Sequence, residues 1–322
     1  MERVTRRIGA IALRLTVSLV VTAVALVGTE YVLRFVYRNV TTSANAREYL
    51  ARRDRSPAIS VNTLGFRERE IPPKQPGRYR IVIVGDSFTW GQGVEPRDRF
   101  SDLLGQFLGP HYEVFNFGQP GNNMPEHLDV LTQALQVQPD FVLLQLYIND
   151  FETPDMGRPQ YYPLLPARFD RALEGSSILY DLSRARWVTL QQQLGMAESY
   201  AHYLERNLLD ADSPKSRKAF GQLQQFIERA RAAGAGCGTV LFPGMDAMGA
   251  YGSHYSFGYL HDRVRMVCSD EKIPCVDLLS AYSTYRDPRS LWVSPFDAHP
   301  NAVANRRAAY EILHAFASRW SR

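Results

Sequence analysis

Cysteine is scarce in this chain: three in 322 residues, an odd number and too few for a disulfide scaffold. One bridge, Cys268 with Cys275 or Cys237 with either, and three buried thiols acting as small hydrophobes both fit that count. Charge imbalance is small as well. Lys and Arg number 37 against 33 Asp and Glu, a net +4, with much of the arginine excess near the N-terminus. That argues against a basic nucleic-acid-binding face and places the excess near lipid. No internal repeat or low-complexity tract occurs. Also absent are a G-x-S-x-G elbow, a glycine-rich phosphate loop ending in Gly-Lys-Ser/Thr and an H-E-x-x-H pair. His254 and His261 are spaced to share a helix face, but no acidic or thiol partner stands at ligand spacing. They read as ordinary surface or half-buried histidines, and no metal is expected.

Long apolar runs are limited to one. Residues 8–37 are mainly apolar, interrupted by Arg14, Glu30 and Arg34, and densest over 15–28. A spanning helix needs about 20 mostly apolar residues. Arg14 can snorkel to one headgroup layer, while Glu30 and Arg34 suit the far interface. Arg3, Arg6 and Arg7 ahead of the run predict a cytoplasmic tail over 1–7, a single-pass anchor over 8–37 and a domain outside the cytoplasm. The rival is a signal peptide cleaved near Ala23-Val24-Ala25, which would leave an apolar stub at the new terminus.

What remains has the composition of a globular protein, 45% hydrophobic and 22% charged, with room for one large domain. Residues 38–78 are polar and proline-bearing, a juxtamembrane spacer with a small packed element at Asn62-Thr63-Leu64-Gly65-Phe66-Arg67. From residue 79 strands alternate with helices. Strands are expected at 80–84, 112–117, 141–146, 239–242 and 274–278, and helices at 100–108, 125–137, 215–233, 254–267 and from 302. Such alternation implies a parallel sheet covered on both faces, here a flavodoxin-like, doubly wound α/β fold of about five strands. Residues 151–214 interrupt it, with a long helical stretch over 178–208. They can fold over a cleft as a lid, or form a helical hairpin packed on the sheet.

The chemistry sits in two distant runs. Ile81-Val82-Ile83-Val84-Gly85-Asp86-Ser87 is a buried strand that stops at a glycine, which leaves Ser87 at the rim of the sheet. Asp297-Ala298-His299 lies just ahead of the last helix. A serine needs a base within hydrogen-bond reach, itself oriented by a third group, and this short segment can deliver both.

With these residues the chain resembles the SGNH hydrolases, or GDSL-type esterases and lipases, of the membrane-anchored bacterial kind, over about residues 60–322. Gly85-Asp86-Ser87 matches the family's nucleophile block, and Asn116-Phe117-Gly118-Gln119-Pro120-Gly121 its second block, with Gly121 favoured over Gly118 by spacing. Tyr147-Ile148-Asn149-Asp150 matches the third, with Tyr147 where glycine is usual. Asp297-Ala298-His299 matches the fourth, one residue shorter than the commonest form; a D-x-H version occurs among polysaccharide acetyl-group enzymes of this fold. The resemblance implies Ser87 as nucleophile, His299 as base and Asp297 as its orienter. The oxyanion hole would be the Ser87 and Gly121 amides with the Asn149 side chain.

The expectation is therefore a cofactor-free serine esterase, anchored in a bacterial inner membrane with its catalytic domain periplasmic. It would remove O-acyl groups, foremost O-acetyl, from an envelope polysaccharide or a small ester. O-acyl transfer to a glycan hydroxyl, fed by an acyl-donor membrane partner, uses the same residues, and a non-catalytic glycan-binding or assembly protein is the third reading.

Overall fold

Residues Ile81, Val82, Ile83 and Val84 are all fully buried, although successive side chains of a strand point to opposite faces. Ile81 and Ile83 join a cluster with Val114, Leu143, Val240 and Phe316, whereas Val82 and Val84 join one with Phe117, Leu131, Leu144 and Phe226. A strand apolar on both faces requires a helical layer on each side.

The structure, a computed structural model, describes residues 2–36, 61–174, 176–294 and 297–320. Its main sheet comprises β1 (Tyr79–Gly85), β2 (Tyr112–Gly118), β3 (Phe141–Leu146), β4 (Gly236–Leu241) and β5 (Cys275–Asp277). The order is β2-β1-β3-β4-β5 and every pair is parallel, the flavodoxin-like arrangement expected from the alternation. A separate antiparallel pair follows, β6 (Trp292–Ser294) and β7 (Asp297–Pro300). The helices are α1 (Glu2–Val36), α2 (Phe100–Leu108), α3 (Met124–Gln136), α4 (Ala167–Leu173), α5 (Ile178–Gln193), α6 (Tyr200–Leu208), α7 (Pro214–Ala232), α8 (Gly258–Asp270) and α9 (Ala302–Trp320). Helices α2 and α9 cover one face of the sheet; α3, α7 and α8 cover the other.

Helix α1 contains a 28-residue stretch, Gly9–Val36, within which an 18-residue window reaches a mean hydropathy of 2.3. Among the described residues it is the one helix long and apolar enough to cross a membrane. The rest of the spacer up to residue 60 lies outside the described residues, but its end packs into the fold. Phe66 is fully buried, its ring 4.4 Å from that of Phe117, and Arg67 is buried beside it.

Two helical expectations need correction. The single stretch over 178–208 is two helices, because Gly195 turns the chain at φ +68° and the Ser199 hydroxyl caps α6 by accepting from the His202 N–H. Helix α6 buries Tyr203, Leu204 and Leu208 in the core, so this part of the intervening segment is packed on the domain. The helix expected from residue 254 starts only at Gly258, because Tyr251 and His254 both adopt positive φ. His254 therefore shares no helix face with His261. His261 is buried between the Asp277 carboxylate, 2.9 Å away, and the Tyr255 hydroxyl, 2.8 Å away. All three cysteines are free thiols; burial pushes Cys237 up to about 12, and Cys268 Sγ lies 3.1 Å from the Thr239 hydroxyl.

Candidate active site

Three adjacent strands end side by side here. Strand β1 runs between β2 and β3, the point where the sheet order reverses and a crevice opens beyond the strand ends. Ser87 follows β1, Gly121 follows β2 and Asn149 follows β3, so the topology gathers all three at one rim.

Ser87 opens a single helical turn, Ser87–Trp90, capped by Asp86, whose carboxylate accepts from the Phe88 N–H at 2.9 Å. The turn is held by buried side chains from neighbouring strands. Gln145 on β3 accepts through Oε1 from the Asp86 N–H (3.1 Å), the Thr89 N–H (3.2 Å) and the Thr89 hydroxyl (2.8 Å). From β2, the Asn116 amide donates to the Thr89 carbonyl and to Ser101 Oγ. Arg67 donates to the Gly91 carbonyl at 3.1 Å and the Val94 carbonyl at 3.3 Å, immediately beyond the turn.

The two glycines of the second block differ in kind. A Cβ on Gly118 would sit 2.3 Å from the Trp90 amide nitrogen, so this glycine lets β2 pack tightly under the serine turn. Gly121 stands in open space at φ +82°, a conformation that glycine adopts without strain. No protein atom accepts from the Ser87 or Gly121 amide among the described residues. Asn149 lies in the 3₁₀ turn Ile148–Phe151, with its Oδ1 buried and unpaired.

That turn is braced from below. Asp150 accepts from the Tyr147 N–H at 2.7 Å through one oxygen and from fully buried His127 Nε2 at 3.1 Å through the other. Asp150's charge helps raise His127 above the usual histidine range, although burial opposes it. Burial and that same charge push Asp86 up to about 7. The Tyr147 ring, in place of the expected glycine, stacks on Phe88 with centroids 4.5 Å apart. Phe88 in turn lies 5.1 Å from the His299 ring, so these aromatics form an apolar floor beneath the base.

His299 comes from outside the main sheet. Because β7 is extended, Asp297 and His299 stand two residues apart on one face of a strand. His299 Nε2 lies 2.8 Å from Ser87 Oγ and its Nδ1 lies 2.5 Å from Asp297 Oδ1. This network assigns the proton to Nδ1 and leaves Nε2 free to accept from the serine hydroxyl. Burial alone would raise Asp297, but the hydrogen bonds from His299 and Gln92 outweigh it and hold the carboxyl below its usual range. Behind β7, Asn301 caps α9 by accepting from the Val303 and Ala304 amides, and Asn305 donates to the Pro300 carbonyl at 2.8 Å.

The structure thus brings Ser87, His299 and Asp297 into one hydrogen-bonded row and sets Gly121 and Asn149 at the neighbouring strand ends. Sequence reasoning missed Gln145, whose signal was a lone polar residue in an otherwise apolar strand. It also missed His127, which carries no motif. Among the described residues no group of three or more His, Cys, Asp or Glu side chains is placed to hold a metal ion.

No curated protein matches the chain. Among solved structures it is similar to TesA, at 16% identity over 74% of this chain and 98% of that one, with a TM-score of 0.45. It is similar too to the lipase/acylhydrolase from Enterococcus faecalis, at 15% identity over 75% and 96% with a TM-score of 0.46. The acetyl xylan esterase AlAXEase matches at 16% identity over 73% and 98% with a TM-score of 0.43. A family model described as GDSL-like lipase/acylhydrolase matches residues 83–307, more than two thirds of the chain. This chain therefore belongs to the GDSL-like lipase/acylhydrolase family of hydrolases.

Proposed function

We propose that the protein is a membrane-tethered, extracytoplasmic serine esterase that removes O-acyl groups, foremost O-acetyl, from an envelope glycan. The observation that carries the chemistry is the 2.8 Å contact between Ser87 Oγ and His299 Nε2, with Asp297 behind the imidazole. As Ser87 Oγ bonds to the ester carbonyl carbon, His299 Nε2 takes the hydroxyl proton. The carbonyl oxygen becomes an oxyanion, and we assign its stabilisation to the Ser87 and Gly121 amides and Asn149 Nδ2, each donor worth about 100-fold to 1000-fold in rate. Collapse breaks the bond to the leaving oxygen, which receives the proton from His299. Water then repeats the sequence on the acyl-serine and restores the enzyme.

The tether rests on the apolar helix α1, and the outward orientation on the arginines that precede its apolar run. The glycan assignment rests on that location and on the short D-x-H spacing, which resembles that of polysaccharide acetyl-group enzymes. A serine-directed fluorophosphonate tests the chemistry: it labels wild type and fails to label Ser87→Ala. Acetate release from p-nitrophenyl acetate, with and without a saccharide acceptor, tests the outcome. Acetate yield that a saccharide leaves unchanged supports hydrolysis; acetyl recovered on the saccharide would overturn it in favour of transfer.

A further inference from the structure

Helix α1 ends against the catalytic domain. The Glu30 carboxylate accepts from the Ser177 hydroxyl at 2.9 Å, the Ile178 N–H at 3.2 Å and the Leu179 N–H at 3.0 Å. Arg34 donates to Glu30 at 2.7 Å and to the Ser176 carbonyl. The first N–H groups of a helix have no acceptor within it, and a carboxylate there is further favoured by the helix dipole. Helix α5 therefore takes part of its N-terminal cap from a residue 147 or more positions away, on the apolar helix.

Beside this latch runs a groove of about 880 Å³, walled by Leu26, Val27 and Tyr31 of α1 and by Leu165, Leu173 and Leu179 of the intervening segment. Its depth follows from the proposed anchor, on which this inference rests. From Gly9 to Thr29, short of Glu30, the helix is about 32 Å long at 1.5 Å per residue, enough for the ~30 Å of hydrocarbon. Glu30 and Arg34 are the first ionisable residues after Arg14, so they mark the far boundary of the acyl layer. Leu26 and Val27 lie one turn deeper, within it, and the groove is continuous with the acyl chains around α1. Apolar walls left without a partner forfeit their dispersion contacts, and at that depth a lipid chain is the group at hand to supply them. Helix α4, which gives Leu173 to the groove, also carries exposed Arg168, Phe169 and Arg171. Basic residues at a membrane surface attract anionic headgroups.

We propose that this groove binds one acyl chain of an anionic phospholipid from the leaflet on the catalytic side, with the headgroup against Arg168 and Arg171. The bound lipid and the Glu30 latch together hold the catalytic domain in one orientation on the bilayer.

The test uses the full chain in phosphatidylglycerol liposomes containing a phospholipid with a diazirine on its acyl chain. After photolysis, adducts are mapped by peptide mass spectrometry. The expected adducts fall on α1 and on peptides carrying Leu165, Leu173 or Leu179. Leu173→Trp, which fills the groove, and Glu30→Lys, which opens the latch, are each expected to lower the adducts on those peptides at least fivefold. Adducts on α1 around Leu19 stay constant, and so does turnover of p-nitrophenyl acetate, which reports an intact fold. Exchanging phosphatidylglycerol for phosphatidylcholine is expected to lower the groove adducts at least twofold. Adducts confined to α1 in the wild type would overturn the groove and leave the anchor standing. Groove adducts unchanged in both variants would also overturn it, as mere surface contact. Cross-linked chain dimers without groove adducts would assign the groove to a second copy of α1. No adducts on α1 at all would remove the anchor reading itself.

Discussion

Replacing Gln145 with leucine changes no reacting atom, yet it is expected to lower both stability and turnover. Gln145 is fully buried, and its Oε1 takes two backbone N–H groups and one hydroxyl from the turn that carries Ser87. A buried N–H left without an acceptor costs about 1–3 kcal/mol. The Thr89 hydroxyl can rotate, so two orphaned amides are the main loss. Against them stands one gain: Gln145 Nε2 is buried without a partner, and leucine removes that penalty of similar size. The net expectation is a destabilisation of about 2 kcal/mol. Turnover is expected to fall further than stability alone explains, because a serine displaced by about 1 Å from the line of attack can cost ~100-fold. The assay is urea unfolding of the full chain in detergent, followed by tryptophan fluorescence, with kcat and KM for p-nitrophenyl acetate measured in parallel. A variant with the wild-type urea midpoint and wild-type kcat would refute the claim that β3 holds the serine turn.

The remaining predictions concern the site itself. Asn149→Ala is expected to lower kcat about 100-fold to 1000-fold with little change in KM, because the donor is used in the transition state; an equal loss in KM would point to ground-state binding instead. Asp297→Asn keeps the side-chain size but favours the wrong imidazole tautomer, and a kcat loss of about 10⁴-fold is expected by analogy with serine proteases; steady-state rates across pH 6–9 check it, and a loss under tenfold counts against the orienting role. Asp86 has a folded pKa of about 7, raised by burial and by Asp150, above its ordinary value near 3.8. Its stabilising contribution is therefore complete below pH ~4 and lost as pH rises through about 7. In urea titrations from pH 5 to 8 the Asp86→Asn variant, which keeps the oxygen accepting from Phe88, is expected to gain on wild type as pH rises; a constant difference would sink the assignment.

Much of this architecture is written in short-range patterns. The β-branched run into Gly85 marks the central strand because burial on both faces leaves no polar alternation, and Asp297-Ala298-His299 stands out because a base and its orienter are neighbours in the chain. The strand-helix alternation is enough for the parallel sheet. What the sequence conceals depends on distant partners. The packed element at 62–67 shows in the sequence, but its partners do not: Phe66 meets Phe117, and Arg67 donates to the Gly91 and Val94 carbonyls just beyond the Ser87 turn. The break between α5 and α6 turns on Gly195 and Ser199, small local signals overridden on paper by a long helical periodicity. Glu30 reads as an interfacial charge, and only the packing of α1 on α5 gives its carboxylate three donors.

The short Asp-to-His spacing has a physical account in how the two halves of the site are built. The serine and its neighbouring donors rise from strand ends at the switch point, where sheet packing on both faces allows little movement. The base arrives on β7, which among the described residues pairs only with β6, and reaches the sheet side through the Ser87 contact, the Phe88 ring and a long 3.5 Å hydrogen bond from Gln92 to Asp297. In an extended strand, residues i and i+2 face the same way, so one intervening residue is what aims carboxylate and imidazole in a common direction. A second intervening residue would turn one of them to the opposite face unless the segment left the β conformation. The spacing and the strand therefore imply each other. The hydrogen bond from the His299 amide to Asp297 Oδ1, at 3.1 Å, then ties the carboxylate to the same backbone that carries the base, so the pair moves as one unit toward or away from Ser87.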